Sequence, residues 1–285
     1  MKFIILSLVT LFLGFVCQNV HGWGIDGHAA ICAIAQSRLS EAANEQVKKL
    51  LPRFAEGDLS SVCSWADRVR FRYHWSAPLH YINVPDSSCD FQYSRDCKDE
   101  NGVKDRCVVG AINNYTAQLL TYKEGHSHQY NFTEALLFLS HYMGDVHQPL
   151  HVGHTTDRGA NTIDVHWYTR KTVLHHVWDN SIIETEEERS YDTQLAGLID
   201  ALEHNITKEW ADQVPEWESC TRDTTTCPNI YAAESIRAAC DIAYNGVDED
   251  STLGDDYFES RVPTTNIRMA QAGVRLGATL NNIFG

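Results

Sequence analysis

One chemical pattern occurs twice in this sequence: His141-x3-Asp145 and His175-x3-Asp179. On a helix, residues four apart share a face, so each pair sets an imidazole beside a carboxylate. A single such pair is ordinarily a solvated ion pair. His141, however, follows Ala135-Leu-Leu-Phe-Leu139, a run apolar enough to be buried. A buried imidazole beside a buried carboxylate needs a partner, and a metal ion is a good one. Gly144 lets something approach the helix closely, and Pro149 ends it so that His151 turns back toward the same region. Trp23, His28, Asp67 and His80 are further candidates. Together these donors exceed the roughly four that one zinc takes. His147 and His176 neighbour the pairs but are out of phase with them and read as packing residues or as outer partners of the ligands, whereas His74, His126, His128, His154, His166 and His204 read as solvated.

The role of Trp23 depends on processing. Residues 3–16 form an apolar core after Lys2, and Val20-His21-Gly22 suits a cleavage site, so residues 1–22 read as a secretion signal. Cleavage after Gly22 would remove Cys17 and His21 and make Trp23 the new N-terminus. A free α-amine titrates near ~8 and yields to a metal at modest cost. With its own carbonyl it can clasp the metal as a five-membered chelate, His28 close by. The expected destination is the secretory pathway, extracellular or vacuolar. Eight cysteines remain: Cys32, Cys63, Cys89, Cys97, Cys107, Cys220, Cys227 and Cys240. An even count in a secreted chain implies up to four disulfides, and no C-x-x-C suggests a zinc ribbon. Sequons at Asn114, Asn131 and Asn205 fit the same route. No second apolar run approaches the ~20 residues of a membrane span, so no stable membrane association is expected after the signal leaves.

The formal charge of −15 argues against a protein that coats long polyanions through basic patches. It leaves open an enzyme whose positive charge resides in bound metal ions.

The elements that must position these residues read as one mainly helical domain over 23–285. Apolar periodicity predicts helices over 26–50 (ended by Pro52), 108–123, 132–146, 189–211, 229–244 and 265–283. Asn131 or Thr133 is placed to cap the third of these. Residues 161–173 alternate as a small hairpin, and 84–106 and 212–228 are polar, Cys-bearing loops. No internal repeat or low-complexity linker interrupts the chain.

Taken in order, Trp23…His28, Trp65-Ala-Asp67, His80-Tyr-Ile-Asn83, His141-x3-Asp145-x5-His151, Asp157-Arg-Gly159 and His175-x-Val-Trp-Asp179 resemble the trinuclear-zinc single-strand nucleases of fungi and plants, the S1/P1 family, in its plant bifunctional type I form. The resemblance spans 23–285. It implies a mainly helical, phospholipase C/nuclease-like fold with three Zn2+ ions at the bottom of a cleft. One ion would be held by Asp67, His80, His141 and Asp145. A second would be held by the amine and carbonyl of Trp23, by His28 and by a bridging Asp145, and the third by His151, His175 and Asp179. All nine positions carry the family's residue type, which argues for an active enzyme. Water shared by two zinc ions loses its proton far below its bulk pKa and attacks phosphorus in line, while the third ion stabilises the leaving 3′-oxygen. On the family pattern, Asp67 orients that water or takes its proton, and Arg70 stabilises charge on the phosphate. Products carry 5′-phosphates, and substrates are single-stranded DNA, RNA and 3′-nucleotides.

Single-strand preference follows from a recessed cluster that admits a phosphate only if the neighbouring base leaves the stack. The resemblance makes Tyr81 the stacking residue and Asn83 and Asn161 polar contacts. Where the family loop has a second glycine this chain has Ala160, whose methyl narrows the pocket or demands a different backbone angle. The resemblance also implies Cys32–Cys63 and Cys97–Cys107 disulfides, with Cys89 reaching a late cysteine, a monomer, and a role in nucleic-acid degradation in senescence or programmed cell death. The nearest rival is a zinc-dependent phospholipase C, against which stand the Asp157-Arg-Gly159 stretch, the sequons and the cysteine pattern. A non-enzymatic glycoprotein would need vestigial ligands, and all are intact; a His-Glu-x-x-His protease motif does not occur.

Overall fold

The computed structural model describes residues 22–123, 129–220 and 224–285. The signal up to residue 21, with His126 and His128, lies outside the described residues. Twelve α-helices and five short strands are found among the rest. The helices run α1 (Ile25–Ser37), α2 (Glu41–Leu50), α3 (Trp65–Val69), α4 (Tyr93–Asp96), α5 (Val108–Lys123), α6 (Phe132–Asp145), α7 (Leu174–His176), α8 (Ile182–Ser190), α9 (Leu195–Thr207), α10 (Val214–Glu218), α11 (Pro228–Ala238) and α12 (Asp255–Phe284).

At the centre lies α6, buried from Ala135 to Asp145 without interruption. A helix apolar on all sides must be covered on all sides, and α1, α2, α3, α5 and α12 pack around it. Asn131 caps it, its side chain accepting from the Glu134 N–H, as one of the two expected positions. Beside it α1 lies close on α12: a Cβ on Gly273 would come within 2.6 Å of Ile34. The predicted helix over 26–50 is two helices. Asn281 of α12 donates to the Arg38 carbonyl and accepts from the Ser40 N–H, and Ser40 then caps α2. A side chain from a distant helix thus takes the backbone groups that a continuous helix would have paired.

Other boundaries move as well. The segment 189–211 yields α9 from Leu195 only, because α8 has already used the residues up to Ser190. The segment 229–244 is α11 followed by a π-turn at Ala239–Ala243. The last helix begins at Asp255 rather than 265 and runs through Pro263, which removes one hydrogen bond without ending it.

The hairpin is present as β3 (Asp164–Trp167) against β4 (Arg170–Val173), with β5 (Ser251–Leu253) added in parallel to β3. A second, unpredicted pairing joins β1 (Ile82–Val84) in parallel to β2 (Val152–His154). It brings the segment after His80 alongside the segment after His151. Four disulfides close the chain: Cys32–Cys63, Cys89–Cys240, Cys97–Cys107 and Cys220–Cys227. The pairings expected from resemblance are those found. Among the described residues no helix is long and apolar enough to cross a membrane.

Candidate metal centre

The C-terminal turn of α6 carries His141 and Asp145, both fully buried. Four imidazoles converge on the Asp145 carboxylate, the farthest being His151, with Nδ1 3.8 Å from Oδ1. His28 Nε2 lies 3.3 Å from Oδ1, while His80 Nδ1 and His141 Nε2 lie 2.9 Å and 3.2 Å from Oδ2. One oxygen therefore faces α1 and the other faces the His80–His141 side. Asp67, on α3, reaches the latter: its oxygens are 3.6 Å from His80 Nδ1 and from His141 Nε2. The close approach allowed by Gly144 is taken by His28, whose Nδ1 would be 2.8 Å from a Cβ there. The His28 ring stacks on His141 at 3.9 Å.

The second pair sits on a different backbone. His175 lies within α7, and the chain then runs through a π-turn at Val177–Ser181 before α8. His175 Nε2 is 3.4 Å from Asp179 Oδ2, and His151 Nε2 is 3.8 Å from Asp179 Oδ1. His151 arrives on a single 3-10 turn, Pro149–His151. Around this centre, donor atoms within 4.8 Å of one another thus form three groups, His28/His141/Asp145, Asp67/His80/His141 and His151/His175/Asp179.

Backbone carbonyls set the rings. His141 Nδ1 donates to the Cys63 carbonyl at 2.9 Å, His151 Nδ1 to the His80 carbonyl at 2.7 Å, and His175 Nδ1 to the Gly159 carbonyl. Each bond fixes a tautomer that leaves Nε2 lone pairs aimed inward, as metal-ligating histidines require. His28 Nε2, His175 Nε2 and Asp145 Oδ1 are buried with no hydrogen-bond partner. Buried polar atoms without partners are costly, and imidazoles mixed with carboxylates are a donor set that suits zinc. The residues fit the ion.

The local electrostatics divide the imidazoles: burial opposes charge on His141, but Asp145 and Asp67 outweigh it and lift its pKa to about 10, whereas two others fall. Burial pushes His28 down to about 4, aided by the charge of His141. Burial with the His151 charge takes His175 down to about 3. Both favour the neutral, ligating form. Burial also opposes ionisation of Asp145, but His141 and His151 outweigh it and hold its pKa well below the ordinary value. At Asp179 burial wins, and the carboxyl is pushed well above its usual range despite a hydrogen bond from Gln148.

Trp23 is fully buried beside this cluster, and the Gly24 N–H donates to the Asp179 carbonyl at 2.6 Å. The residue before Trp23 presses on the centre, because a Cβ on Gly22 would lie 1.7 Å from Asp145 Oδ1. Arg70 sits at the rim with a guanidinium nitrogen 3.6 Å from Asp67 Oδ1. Tyr81 and Asn83 follow His80, both half-buried, and burial pushes the Tyr81 phenol above its ordinary value. Asn161 donates its side-chain amide to the Arg158 carbonyl, inside its own loop. That loop carries three successive left-handed residues, Arg158, Gly159 and Ala160, at φ 56°, 65° and 65°. A Cβ on Gly159 would come within 2.3 Å of the Leu150 carbonyl, so glycine is required there. Ala160 keeps the left-handed angle that glycine would tolerate, so its methyl has not forced a different backbone angle.

Two residues escaped sequence reasoning. Gln148, fully buried, donates to Asp179 Oδ1 at 2.6 Å while its own oxygen accepts from the Leu150 N–H. Its place between Asp145 and His151 was the only available signal. Tyr244 donates to Asp157 Oδ1, which also accepts from the Ala160 N–H and so shapes the 157–161 loop. His154, expected in solvent, is half-buried with its ring stacked on Tyr244 at 4.8 Å, because β1–β2 pairing draws it inward. His147 packs as expected, between the Met143 carbonyl and Arg275.

The S1/P1 Nuclease family matches residues 23–285, a span that begins at Trp23. This chain belongs to the S1/P1 nuclease family. It is similar to Endonuclease 2 of Arabidopsis thaliana, with 62% identity over 284 residues covering 99% of this chain and 97% of that one. Endonuclease 4 of the same plant is 51% identical over 284 residues, 98% of this chain and 93% of the other. Nuclease S1 of Aspergillus oryzae is 32% identical over 294 residues, covering 98% and 96%. As a member of this family the chain is an enzyme, a hydrolase of the nuclease class.

Proposed function

We propose that this protein is a secreted, zinc-dependent endonuclease that hydrolyses single-stranded DNA and RNA to 5′-phosphate products, with 3′-nucleotidase activity. The observation that carries the proposal is the carboxylate of Asp145, with one oxygen toward His28 and the other between His80 and His141. A carboxylate so placed joins two neighbouring donor groups. The resident ions would be three Zn2+, held by Asp67, His80, His141 and Asp145, by Trp23, His28 and Asp145, and by His151, His175 and Asp179. Zinc, when bound, supplies the Lewis acidity that lowers the pKa of water and offsets charge on phosphate oxygens.

The chain's own residues do the rest. Asp67 orients the attacking water and receives its proton. Arg70, held beside Asp67, faces the phosphate and stabilises the charge that develops on it. Tyr81 presents its ring to the flipped base, and Asn83 and Asn161 contact base or phosphate. The named activities of the plant and fungal relatives, endonuclease and nuclease, support this reading. A phospholipase C would share the metals, but none of these relatives is named for one.

Residues 1–22 leave as a signal, after which Trp23 offers its amine and carbonyl. The family span beginning at Trp23 and the pressure of Gly22 on Asp145 both support that processing. Asn114 and Asn131 are exposed and Asn205 half-buried, as glycan acceptors on a secreted monomer. Asn131 uses only its oxygen for capping and leaves its nitrogen to carry the sugar.

The test is metal content by mass spectrometry on processed protein and on protein with extra residues before Trp23, with single-stranded DNA hydrolysis on both. About three zinc ions and chelator-sensitive cleavage are expected for the first, and fewer ions with poor cleavage for the second. Zinc-loaded protein that cleaves no nucleic acid would overturn the nuclease reading. Full activity of the extended form would overturn the N-terminal chelate.

A further inference from the structure

The metal centre is recessed, yet the segment leaving it is unusually open. From Arg68 to Trp75 the sequence reads Arg-Val-Arg-Phe-Arg-Tyr-His-Trp, and no acidic residue occurs between Asp67 and Asp86. In a chain of net charge −15, three arginines within five residues are a local reversal of sign. Arg68 and Arg72 are exposed, and Arg70 reaches back to Asp67. Between them Phe71 leaves 78% of its surface in water and Trp75 48%. Exposed large aromatics next to exposed cations mark interaction surfaces rather than packing.

The two rings differ in support. Trp75 is backed by Tyr73, stacked at 5.7 Å, and by Phe138 of α6 at 5.6 Å. Its carbonyl accepts from Arg106, which fixes the turn. Its platform is thus anchored to the helix that carries His141 and Asp145. Phe71, next to Arg70, has no such backing and projects into solvent. Alternating cations and aromatic faces match a strand of nucleotides, in which phosphates and unstacked bases alternate.

We propose that Arg68, Phe71, Arg72 and Trp75 form a track for the single strand beyond the scissile phosphate, so that the enzyme favours long strands over dinucleotides. The proposal rests on the nuclease reading. Phosphates pair with Arg68 and Arg72, and bases stack on Phe71 and Trp75. An anionic membrane is the other surface such residues could meet, but continuity with Asp67 and Arg70 favours the strand.

The experiment compares steady-state hydrolysis of a 20-nucleotide poly(dA) strand and of a dA dinucleotide by processed, zinc-loaded protein. Phe71→Ala is expected to raise KM for the 20-mer about tenfold, with kcat and the dinucleotide kinetics unchanged. Phe71→Trp should restore it. Arg72→Gln should reduce the slope of log KM against log salt for the 20-mer by about 0.7. Equal losses on both substrates, or no loss on either, would overturn the track. So would loss of binding to phosphatidylserine vesicles by Phe71→Ala with 20-mer kinetics intact. Failure of the unsubstituted protein to cleave either substrate would instead defeat the nuclease reading.

Discussion

The two His-x3-Asp pairs share a spacing but not an environment. His141 and Asp145 lie on the regular last turn of α6, and Asp145 meets four imidazoles with its two oxygens. His175 and Asp179 straddle the entry to a π-turn, and the outer partner of Asp179 is a neutral amide, Gln148. The first carboxylate is held ionised by its neighbours, whereas burial raises the second. Equal motifs therefore serve unequal tasks: Asp145 joins two donor groups, and Asp179 completes one.

If this contrast holds, the largest effect comes from the shared carboxylate. On the proposed three-ion site, Asp145→Asn should remove two ions and lower activity by more than the roughly 100-fold that outer partners cost. Asp179→Asn should remove one. Metal stoichiometry by mass spectrometry distinguishes them, and equal losses would break the comparison. Next is Gln148→Leu, which takes away only the amide that holds Asp179. A roughly 10- to 100-fold weaker third site is expected, with the other two ions retained in a chelator titration.

Smaller effects sharpen the contrast along the helix that continues from the second pair. Glu187, on α8, is pushed up to about 7 by burial and by the charges of Asp26, Glu184 and Glu186. A folded pKa above the unfolded value means a contribution present below about 4.5 and lost as pH rises through 7. Glu187→Gln should therefore match the parent melting temperature near pH 4.5 and exceed it at pH 8 by on the order of 2–4 °C. The smallest effect belongs to Ala160→Gly, in the loop whose carbonyls orient His175. Relief of left-handed strain, about 1 kcal/mol before glycine's greater unfolded entropy is deducted, should leave a rise in melting temperature of no more than about 2 °C.

The candidate ligands were legible in the sequence because their chemistry restricts residue type, and helical spacing grouped His141 with Asp145. The buried stretch around them was legible from Ala135–Leu139. The break between α1 and α2 was not, since Asn281 makes it from the far end of the chain. Nor was the π-turn, which leaves the four-residue spacing of His175 and Asp179 unchanged in the sequence. The β1–β2 pairing, which turned His154 inward, depends on a long-range register that three-residue strands do not advertise. Gln148 belongs to no pattern, being one amide whose value comes from the carboxylate it meets.

The Cys32–Cys63 bond has a consequence beyond stability. Cys32 lies one turn after His28 on α1, and Cys63 gives its carbonyl to His141 four residues before Asp67. One covalent link therefore spans the supports of three donors from separate parts of the chain. In a reducing compartment those supports come apart together, so the centre would form only where thiols are oxidised. Assembly of the centre would then answer to redox chemistry as well as to folding.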